Sequence, residues 1–184
     1  YKVRTQKLHI LMGLFFSEVG NTLMIYFLKA DPDHKELSQS ITLAETSSVK
    51  DFKNFTNELA KFDYRIEKNK IDVMKLRNYL EDKKDLLVRM LENPVLIDHE
   101  DFTELLRSLF HVYEELHYRV DCEHISEDDF DHIRVDIQRI YSRIVSQWID
   151  YVAYIKQNYP YLYKYTTKMN PFIMDCKLVK ENLL

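Results

Sequence analysis

Glycine is almost absent from this chain, which contains only two glycines and four prolines in 184 residues. Tight turns need glycine because it adopts positive φ at no steric cost. Sandwiches, barrels and doubly wound sheets need many such turns. Phosphate-binding loops and dinucleotide-binding motifs need several glycines within a few residues. The sequence therefore disfavours all of these classes, and we predict an all-α fold.

Apolar residues recur every three or four positions in five segments, which is the spacing of amphipathic helices. The last of these segments has about 30 residues and would extend about 45 Å. Every apolar face needs a partner, and antiparallel packing of helices supplies one. We therefore predict a single domain over 1–184, an antiparallel bundle of four to five helices with one long spine helix. The segments cover about 6–29, 49–66, 69–92, 99–116 and 127–157.

Two stretches lack a long apolar pattern. Residues 30–48 are polar and contain Asp31-Pro32-Asp33, which is typical of a linker with at most a short helical turn. Pro160 is expected to end the spine helix. Residues 158–184 are therefore predicted to form a short C-terminal helix and a tail.

Three residues are the predicted N-caps of helices. Ser48 and Ser126 each precede an apolar pattern and are followed three residues later by an aspartate. A side-chain oxygen at this position accepts a hydrogen bond from the first turn of the helix. Asp98 is predicted to cap the fourth helix in the same way.

The segment 8–28 is apolar enough to be tested as a membrane span. Glu18 lies near its centre, and a carboxylate at the bilayer midplane is costly. A buried helix of a soluble domain is therefore the favoured interpretation. Lys2, Arg4 and Lys7 would suit the cytoplasmic side of an anchor preceding this sequence. We expect a cytoplasmic domain, tethered to a membrane if that anchor exists.

The two cysteines, Cys122 and Cys176, are 54 positions apart and form no CxxC pair. Two cysteines in a chain of this length do not make the disulfide framework of a secreted protein. We predict reduced thiols, which agrees with a cytoplasmic location.

Three small residues share one face of the first predicted helix. Gly13, Ser17 and Gly20 are spaced i, i+4 and i+7, and they include both glycines of the chain. Glycine inside a helix costs about 1 kcal/mol relative to alanine. Two of them on one face therefore indicate a close contact with another helix.

Tyrosines are concentrated near the C-terminal end, around Tyr159 and Tyr161, and lysines alternate with them. Aromatic and basic residues together can bind single-stranded nucleic acid. The net charge of −4 argues against that reading. Tyrosine is also favoured at protein interfaces. We predict a protein partner or self-association and no nucleic acid.

Histidines and carboxylates are dense between residues 98 and 117. Glu114 and His117 form the Glu-x-x-His step that di-iron bundles use to direct two ligands at one metal. A di-metal site needs a second copy, and the nearest is Asp129-Phe130-Asp131-His132 in the next helix. A solvated face with local pairs is the alternative. The candidate ligands are Glu104, His111, Glu114, Glu115 and His117.

Three stretches together resemble an uncharacterised family of prokaryotic proteins in which a membrane anchor precedes a soluble helical region. They are Gly13 to Gly20, the run from Glu92-Asn93-Pro94 through His99 to Leu116, and Asn158 to Leu162 with Asn170-Pro171-Phe172. The resemblance implies a cytoplasmic helical domain tied to a membrane. It implies no catalytic residue.

The sequence contains none of the motifs of nucleophilic or zinc-protease catalysis, neither Gly-x-Ser-x-Gly nor His-Glu-x-x-His. We therefore predict a non-enzymatic interaction or sensory domain that needs no cofactor and no small-molecule substrate. The alternative is a metal-binding bundle of the di-iron type with oxidase activity.

Overall fold

The computed structural model describes residues 2–46, 51–119, 125–168 and 170–172. Over these ranges the chain is helical and contains no strand, so the all-α prediction is confirmed. Two short 3₁₀ turns, Lys68–Lys70 and Pro94–Asp98, also occur. The α-helices are α1 (Lys2–Phe15), α2 (Asn21–Ala30), α3 (His34–Thr46), α4 (Asp51–Leu59), α5 (Val73–Leu91), α6 (Glu100–Tyr118), α7 (Glu127–Asn158) and α8 (Pro160–Lys168).

A π-helical turn over Phe16–Gly20 joins α1 to α2, so that the two form one continuous N-terminal helix. This helix runs antiparallel to α7, because Phe16 packs on Trp148 near its middle and Phe27 packs on Tyr141 further along. The π turn is bounded by helical backbone on both sides and does not bend the chain out of the helical region. A π turn contains one more residue than an α-helical turn, so the residues after it project from a different side of the helix than they would in an unbroken α-helix.

Helices α5, α6 and α7 complete a four-helix bundle with the N-terminal helix. The Lys84 ammonium lies 5.4 Å from the Tyr113 ring, which joins α5 to α6. The Tyr79 hydroxyl of α5 donates to the backbone carbonyl of Glu18 at 3.2 Å, which closes the bundle on the N-terminal helix. Phe15 and Phe102 meet edge to face across the core, with ring centroids 5.4 Å apart.

The limits of α7 agree with the predicted segment to within one residue, whereas α5 starts at Val73, four residues later than predicted. Asp72 caps α5, and its side chain accepts from the backbone N–H groups of Met74 and Lys75. The predicted cap at Ser126 is confirmed, since its hydroxyl oxygen accepts from the Asp129 N–H at 3.1 Å.

The predicted cap at Asp98 is wrong. Residues 94–98 form a 3₁₀ turn, and α6 starts after His99, whose side chain makes no capping hydrogen bond. Proline at the first position of the 3₁₀ turn and the Asn93 side chain, which accepts from the Val95 N–H at 3.0 Å, start that turn instead.

The segment 30–48 was predicted as a linker, but residues 34–46 form α3. The Asp31 carboxylate accepts from the Asp33 N–H at 2.9 Å, so Asp31-Pro32-Asp33 starts a helix rather than a flexible connection. Among residues 34–41, the part of α3 whose burial is described, Leu37 and Ile41 are fully buried. This apolar pair is too short for its period to stand out in a polar sequence.

Helix α4 is shorter than its predicted segment, which extended to residue 66. It ends at Leu59, and residues 60–66 form a turn and an extended stretch. Leu59 and Ile66 are nevertheless both buried. The predicted cap at Ser48 lies outside the described residues, as do Cys122 and Cys176.

The N-terminal helix, from Val3 to Ala30, is long and apolar enough to cross a membrane by length and composition. Half of its most apolar window is buried inside the domain. Leu8, Phe15 and Leu23 are among its fully buried residues, which makes this helix a central part of the core.

Candidate functional site

The helices α6 and α7 each place a row of polar side chains along the edge where they meet. Both rows have the spacing i, i+4, i+7 and i+11, which puts their members on one face. Contacts between the rows pair early residues of one helix with late residues of the other, so the helices are antiparallel. We call these eight residues the polar seam: Glu104, Ser108, His111 and Glu115 of α6, and His132, Asp136, Arg139 and Arg143 of α7.

Two histidines and two carboxylates meet at one end of the polar seam. His132 Nδ1 lies 3.1 Å from Glu115 Oε1 and 3.7 Å from Asp136 Oδ2. His111 Nε2 lies 3.9 Å from the same Asp136 oxygen. Ligand atoms of His111, Glu115 and Asp136 all fall within 4.8 Å of one another. We call these four residues the His/carboxylate cluster.

The carboxylates of the cluster lie deep and its imidazoles lie at the surface. The side chains of Glu115 and Asp136 are 11% and 12% exposed, whereas those of His111 and His132 are 64% and 61% exposed. A buried carboxylate needs a charged or hydrogen-bonding partner. The arrangement therefore holds two negative groups in the wall of the bundle and leaves access from solvent past the imidazoles.

Each carboxylate is held by an arginine through one oxygen only. Arg119 Nη2 donates to Glu115 Oε1 at 2.8 Å, and Arg139 Nη1 donates to Asp136 Oδ1 at 2.8 Å. The other oxygen of Glu115, Oε2, is buried and accepts no hydrogen bond. Each arginine thus leaves one oxygen of its carboxylate free of an arginine.

The start of α7 is fixed to the end of α6 beside the cluster. Arg119 also donates to Asp129, and the Ser126 hydroxyl donates to the same carboxylate at 2.8 Å. The hydrogen bonds from Ser126 and Arg119 lower the pKa of Asp129, and the bond to Asp129 raises the pKa of Arg119. These contacts set the register in which His132 faces Glu115.

The five ligands predicted from sequence are not brought together. His111 and Glu115 lie in the cluster, and Glu104 lies further along the seam, paired with Arg107 at 2.7 Å. Glu114 is exposed, and His117 faces α5, with Nδ1 3.3 Å from Glu81 Oε2. The Glu-x-x-His step therefore does not converge on one site.

Sequence reasoning missed His132 and Asp136 as ligands. His132 had been noted only as part of a weak second Glu-x-x-His copy, and Asp136 had not been singled out. The available signal was the same spacing of a histidine and a carboxylate, i and i+4, on two consecutive helices. Residues at this spacing project side by side, so two antiparallel copies can face each other.

Two imidazoles and two carboxylates form a donor set that suits first-row transition metals such as zinc, manganese and iron. Ligand bonds to zinc are about 2.0–2.2 Å long. Ligand atoms of three of the residues, His111, Glu115 and Asp136, lie within 4.8 Å of one another, and His132 lies beside both carboxylates. Arg119 and Arg139 would then be the outer groups that orient the ligating carboxylates.

A family model described as "Uncharacterized protein MJ1433, C-terminal helical domain" matches residues 4–168. This chain belongs to that family. The Uncharacterized protein MJ1433 of Methanocaldococcus jannaschii is 36% identical over 177 residues, which are 96% of this chain and 71% of that protein. No solved structure matches. The family is helical and uncharacterised, as the resemblance implied; its membrane anchor stays a prediction.

A second surface of this MJ1433-type helical domain contains Tyr161, one of the five predicted interface residues. On α1, Val3, Ile10 and Leu14 are exposed. Helix α8 exposes Tyr161 (81%) together with Leu162 and Tyr165, and Tyr159, which precedes α8, is 41% exposed. We call this the α1–α8 surface, defined by Ile10, Leu14, Tyr161, Leu162 and Tyr165.

The small residues of the N-terminal helix have different surroundings. Ser17 is exposed, and Gly13 is half-buried at a point where an added Cβ would lie 2.9 Å from the Tyr151 hydroxyl. Gly20 is buried, and its added Cβ would lie 2.6 Å from Phe16. Gly13 therefore allows a close approach to α7, whereas Gly20 leaves room for aromatic rings of its own helix.

A cavity of about 250 Å³ lies beside the α1–α8 surface, between the N-terminal helix, α7 and α8. Two of its lining residues carry buried polar atoms without hydrogen bonds, namely Asn21 through Oδ1 and Trp148 through Nε1. The other lining residues are Gly13, Phe16, Ser17, Tyr151, Tyr165 and Thr166.

Proposed function

We propose that this domain binds one divalent transition-metal ion at the His/carboxylate cluster of α6 and α7. The observation that carries the proposal is the convergence of two histidines and two shielded carboxylates from antiparallel helices. The buried Glu115 Oε2, which accepts no hydrogen bond, supports it further. A buried carboxylate oxygen without a donor is costly, and a bound cation would remove that cost.

The local charges support a metal rather than a purely structural ion-pair network. Arg119 and Arg139 each engage one oxygen of their carboxylate. Asp136 Oδ2, which neither arginine engages, lies 3.9 Å from His111 Nε2 and 3.7 Å from His132 Nδ1. Neutral imidazole nitrogen and ionised carboxylate oxygen are the forms that bind metal. The exposed imidazoles leave the ion reachable from solvent, which suits sensing or ligand binding.

The proposal is tested by metal titration of the purified domain after treatment with a chelator. We expect isothermal titration calorimetry with Zn²⁺, Mn²⁺ and, without oxygen, Fe²⁺ to give one site per chain for at least one of them. His132→Ala and Asp136→Asn should each weaken that affinity at least about 10-fold, since even outer-shell changes cost about 10–100-fold.

His117→Ala is the matched control, because His117 is also on α6 and also pairs with a carboxylate, but faces α5. It should leave the metal affinity unchanged. Absence of a stoichiometric site, or an equal loss in the His117→Ala variant, would contradict the proposal and leave the cluster as an ion-pair network between helices.

The α1–α8 surface favours a second candidate function, association with a second copy of this domain. Large apolar or aromatic side chains are exposed on both of its helices, Ile10 and Leu14 on α1 and Tyr161, Leu162 and Tyr165 on α8. Tyr165 lines the same cavity as the small residues Gly13 and Ser17 of the N-terminal helix. Large exposed apolar patches mark association sites more often than scattered residues do. A stable interface needs about 800 Å² from each partner.

Sedimentation velocity over a range of concentrations tests this second function. We expect a dimer that Ile10→Glu converts to a monomer. Val135→Glu is the matched control, because Val135 is 47% exposed on α7 and is not part of the α1–α8 surface. A wild-type monomer at high micromolar concentration would exclude self-association.

We also propose a cytoplasmic location and tethering to a membrane, because the opening of the sequence is basic. Fractionation of cells that express the complete gene product tests both. Recovery of that product only in the soluble fraction would contradict the tether.

A further inference from the structure

A polar groove continues from the His/carboxylate cluster along the polar seam. It has a volume of about 330 Å³, and every side chain that lines it is charged or polar. Its walls come from α6 and α7 only. The lining residues are Glu104, Arg107, Ser108, His111, Asp136, Arg139 and Arg143.

The charges of this groove favour an anion. Three arginines face two carboxylates, and each carboxylate already pairs with one arginine, Glu104 with Arg107 and Asp136 with Arg139. Arg143, the third arginine, is paired with neither carboxylate. In the described part of the chain it forms no ion pair, and its Nη1 donates to the Ser108 hydroxyl.

Arg143 is held in position rather than extended into solvent. The Ser108 hydroxyl that accepts from it donates in turn to the backbone carbonyl of Glu104 at 2.7 Å, within α6. Arg143 is half-buried. A guanidinium that is fixed in this way loses little side-chain entropy when it binds, and its planar donors match the oxygens of a phosphate.

The groove shares His111 and Asp136 with the His/carboxylate cluster. A ligand in the groove would therefore meet the arginines on one side and the proposed ion on the other. A divalent cation next to arginines is the combination that binds and stabilises phosphoryl groups. A carboxylate ligand would bind less tightly in this groove, because it offers fewer oxygens to share between the ion and the arginines.

We infer that this groove binds the phosphate group of a small phosphorylated molecule, with Arg143 as the principal contact and the ion at the His/carboxylate cluster as the second. The inference rests on the proposed function for its metal contact only. The contribution of the arginines is independent of the ion.

The test is titration calorimetry of the domain with three probes: inorganic phosphate, sn-glycerol 3-phosphate and adenosine monophosphate. Each is measured once with a chelator and once with the metal that binds best. We expect saturable binding of at least one probe. Arg143→Gln should weaken it at least about 10-fold, in the range that is typical of a lost hydrogen bond to a charged group.

Arg134→Gln is the matched control, because Arg134 is also on α7 but pairs with Asp131 and lies outside the groove. It should leave the affinity unchanged. Thermal unfolding of both variants establishes that each is folded. If the Arg143→Gln variant does not fold, Arg107→Gln is used instead. We expect it to weaken the affinity for the probe at least about 3-fold.

The two proposals fail in different ways. Arg143-dependent binding that is equal with metal and with chelator would support the groove and contradict the metal contact. Metal binding without saturable binding of any probe would overturn the groove proposal. Equal affinity for all probes indicates that phosphate alone is recognised, and tighter binding of one identifies the attached group as an alcohol or a nucleoside.

Discussion

Two faces of the long helix α7 have opposite chemistry. One face carries His132, Asp136 and Arg143 of the polar seam, where two helices meet at an edge open to water. Another face carries Tyr141, Trp148 and Tyr151, which pack against Phe27 and Phe16 of the N-terminal helix. We therefore expect stability to come mainly from the aromatic face, whereas the polar face is available for binding.

The buried carboxylates of the two regions also differ in their partners. Glu115 and Asp136 in the polar seam are each held by an arginine. Asp31, on the aromatic side, is fully buried and forms no ion pair with any described residue. Burial is the main cause that raises the pKa of Asp31, and the buried Tyr141 lies beside it. Glu115 and Asp136 thus have arginine partners, whereas the burial of Asp31 favours its neutral form.

The largest expected effect on stability is that of Phe16→Ala. Phe16 is 1% exposed, and its loss would leave a cavity beside Trp148. The free energy of unfolding should fall by about 3–5 kcal/mol. Arg143→Gln should change it by less than about 1 kcal/mol. Urea unfolding of both variants measures the difference, and equal losses would remove the contrast between the two faces of α7.

Replacing each of the two glycines by alanine is expected to give a smaller difference in stability. Gly20→Ala would bring a Cβ within 2.6 Å of Phe16 and 2.8 Å of Phe15, both fully packed. Overpacking costs about 1–3 kcal/mol, which exceeds the gain of about 1 kcal/mol from helix propensity. Gly13→Ala would bring its Cβ to 2.9 Å from the hydroxyl of Tyr151, a single contact at the end of one side chain, and should cost less than Gly20→Ala. Thermal unfolding that ranks the two variants the other way would contradict this account.

Ser126→Ala removes the cap of α7 beside the polar seam. We expect the free energy of unfolding to fall by about 1 kcal/mol, because the Asp129 N–H loses its acceptor. The Asp129 carboxylate also loses the Ser126 donor. Its pKa should therefore rise from its lowered value, which NMR titration measures. An unchanged pKa of Asp129 would show that Arg119 alone holds that carboxylate.

The smallest expected effect is that of Asp31→Asn on the pH dependence of stability. Because the pKa of Asp31 is raised on folding, the native state holds this proton more tightly than the unfolded chain. The wild type should lose stability as pH rises from the ordinary aspartate value, about 4, through the raised native value. The asparagine variant should lack that loss. Identical slopes in urea unfolding from pH 4 to 7 would exclude a role for Asp31.

Much of the fold was predictable because the apolar residues of α5, α6 and α7 repeat over many turns. Helix α3 was missed because its buried apolar pair, Leu37 and Ile41, is too short for a helical period to stand out. The polar seam was missed for a different reason. Glu114 and His117 match a known ligand spacing within one helix, but the structure directs them away from each other and brings Asp136 to His111 instead.

The sequence by itself determined that this chain is helical and which helices have buried faces, because helix formation and amphipathic spacing are local properties. Only the tertiary structure decided which polar residues meet. The register between α6 and α7 depends on apolar packing across their whole length and on the short connection between them. That register places His132 opposite Glu115 and Arg143 beside Ser108, contacts that no spacing within one helix encodes.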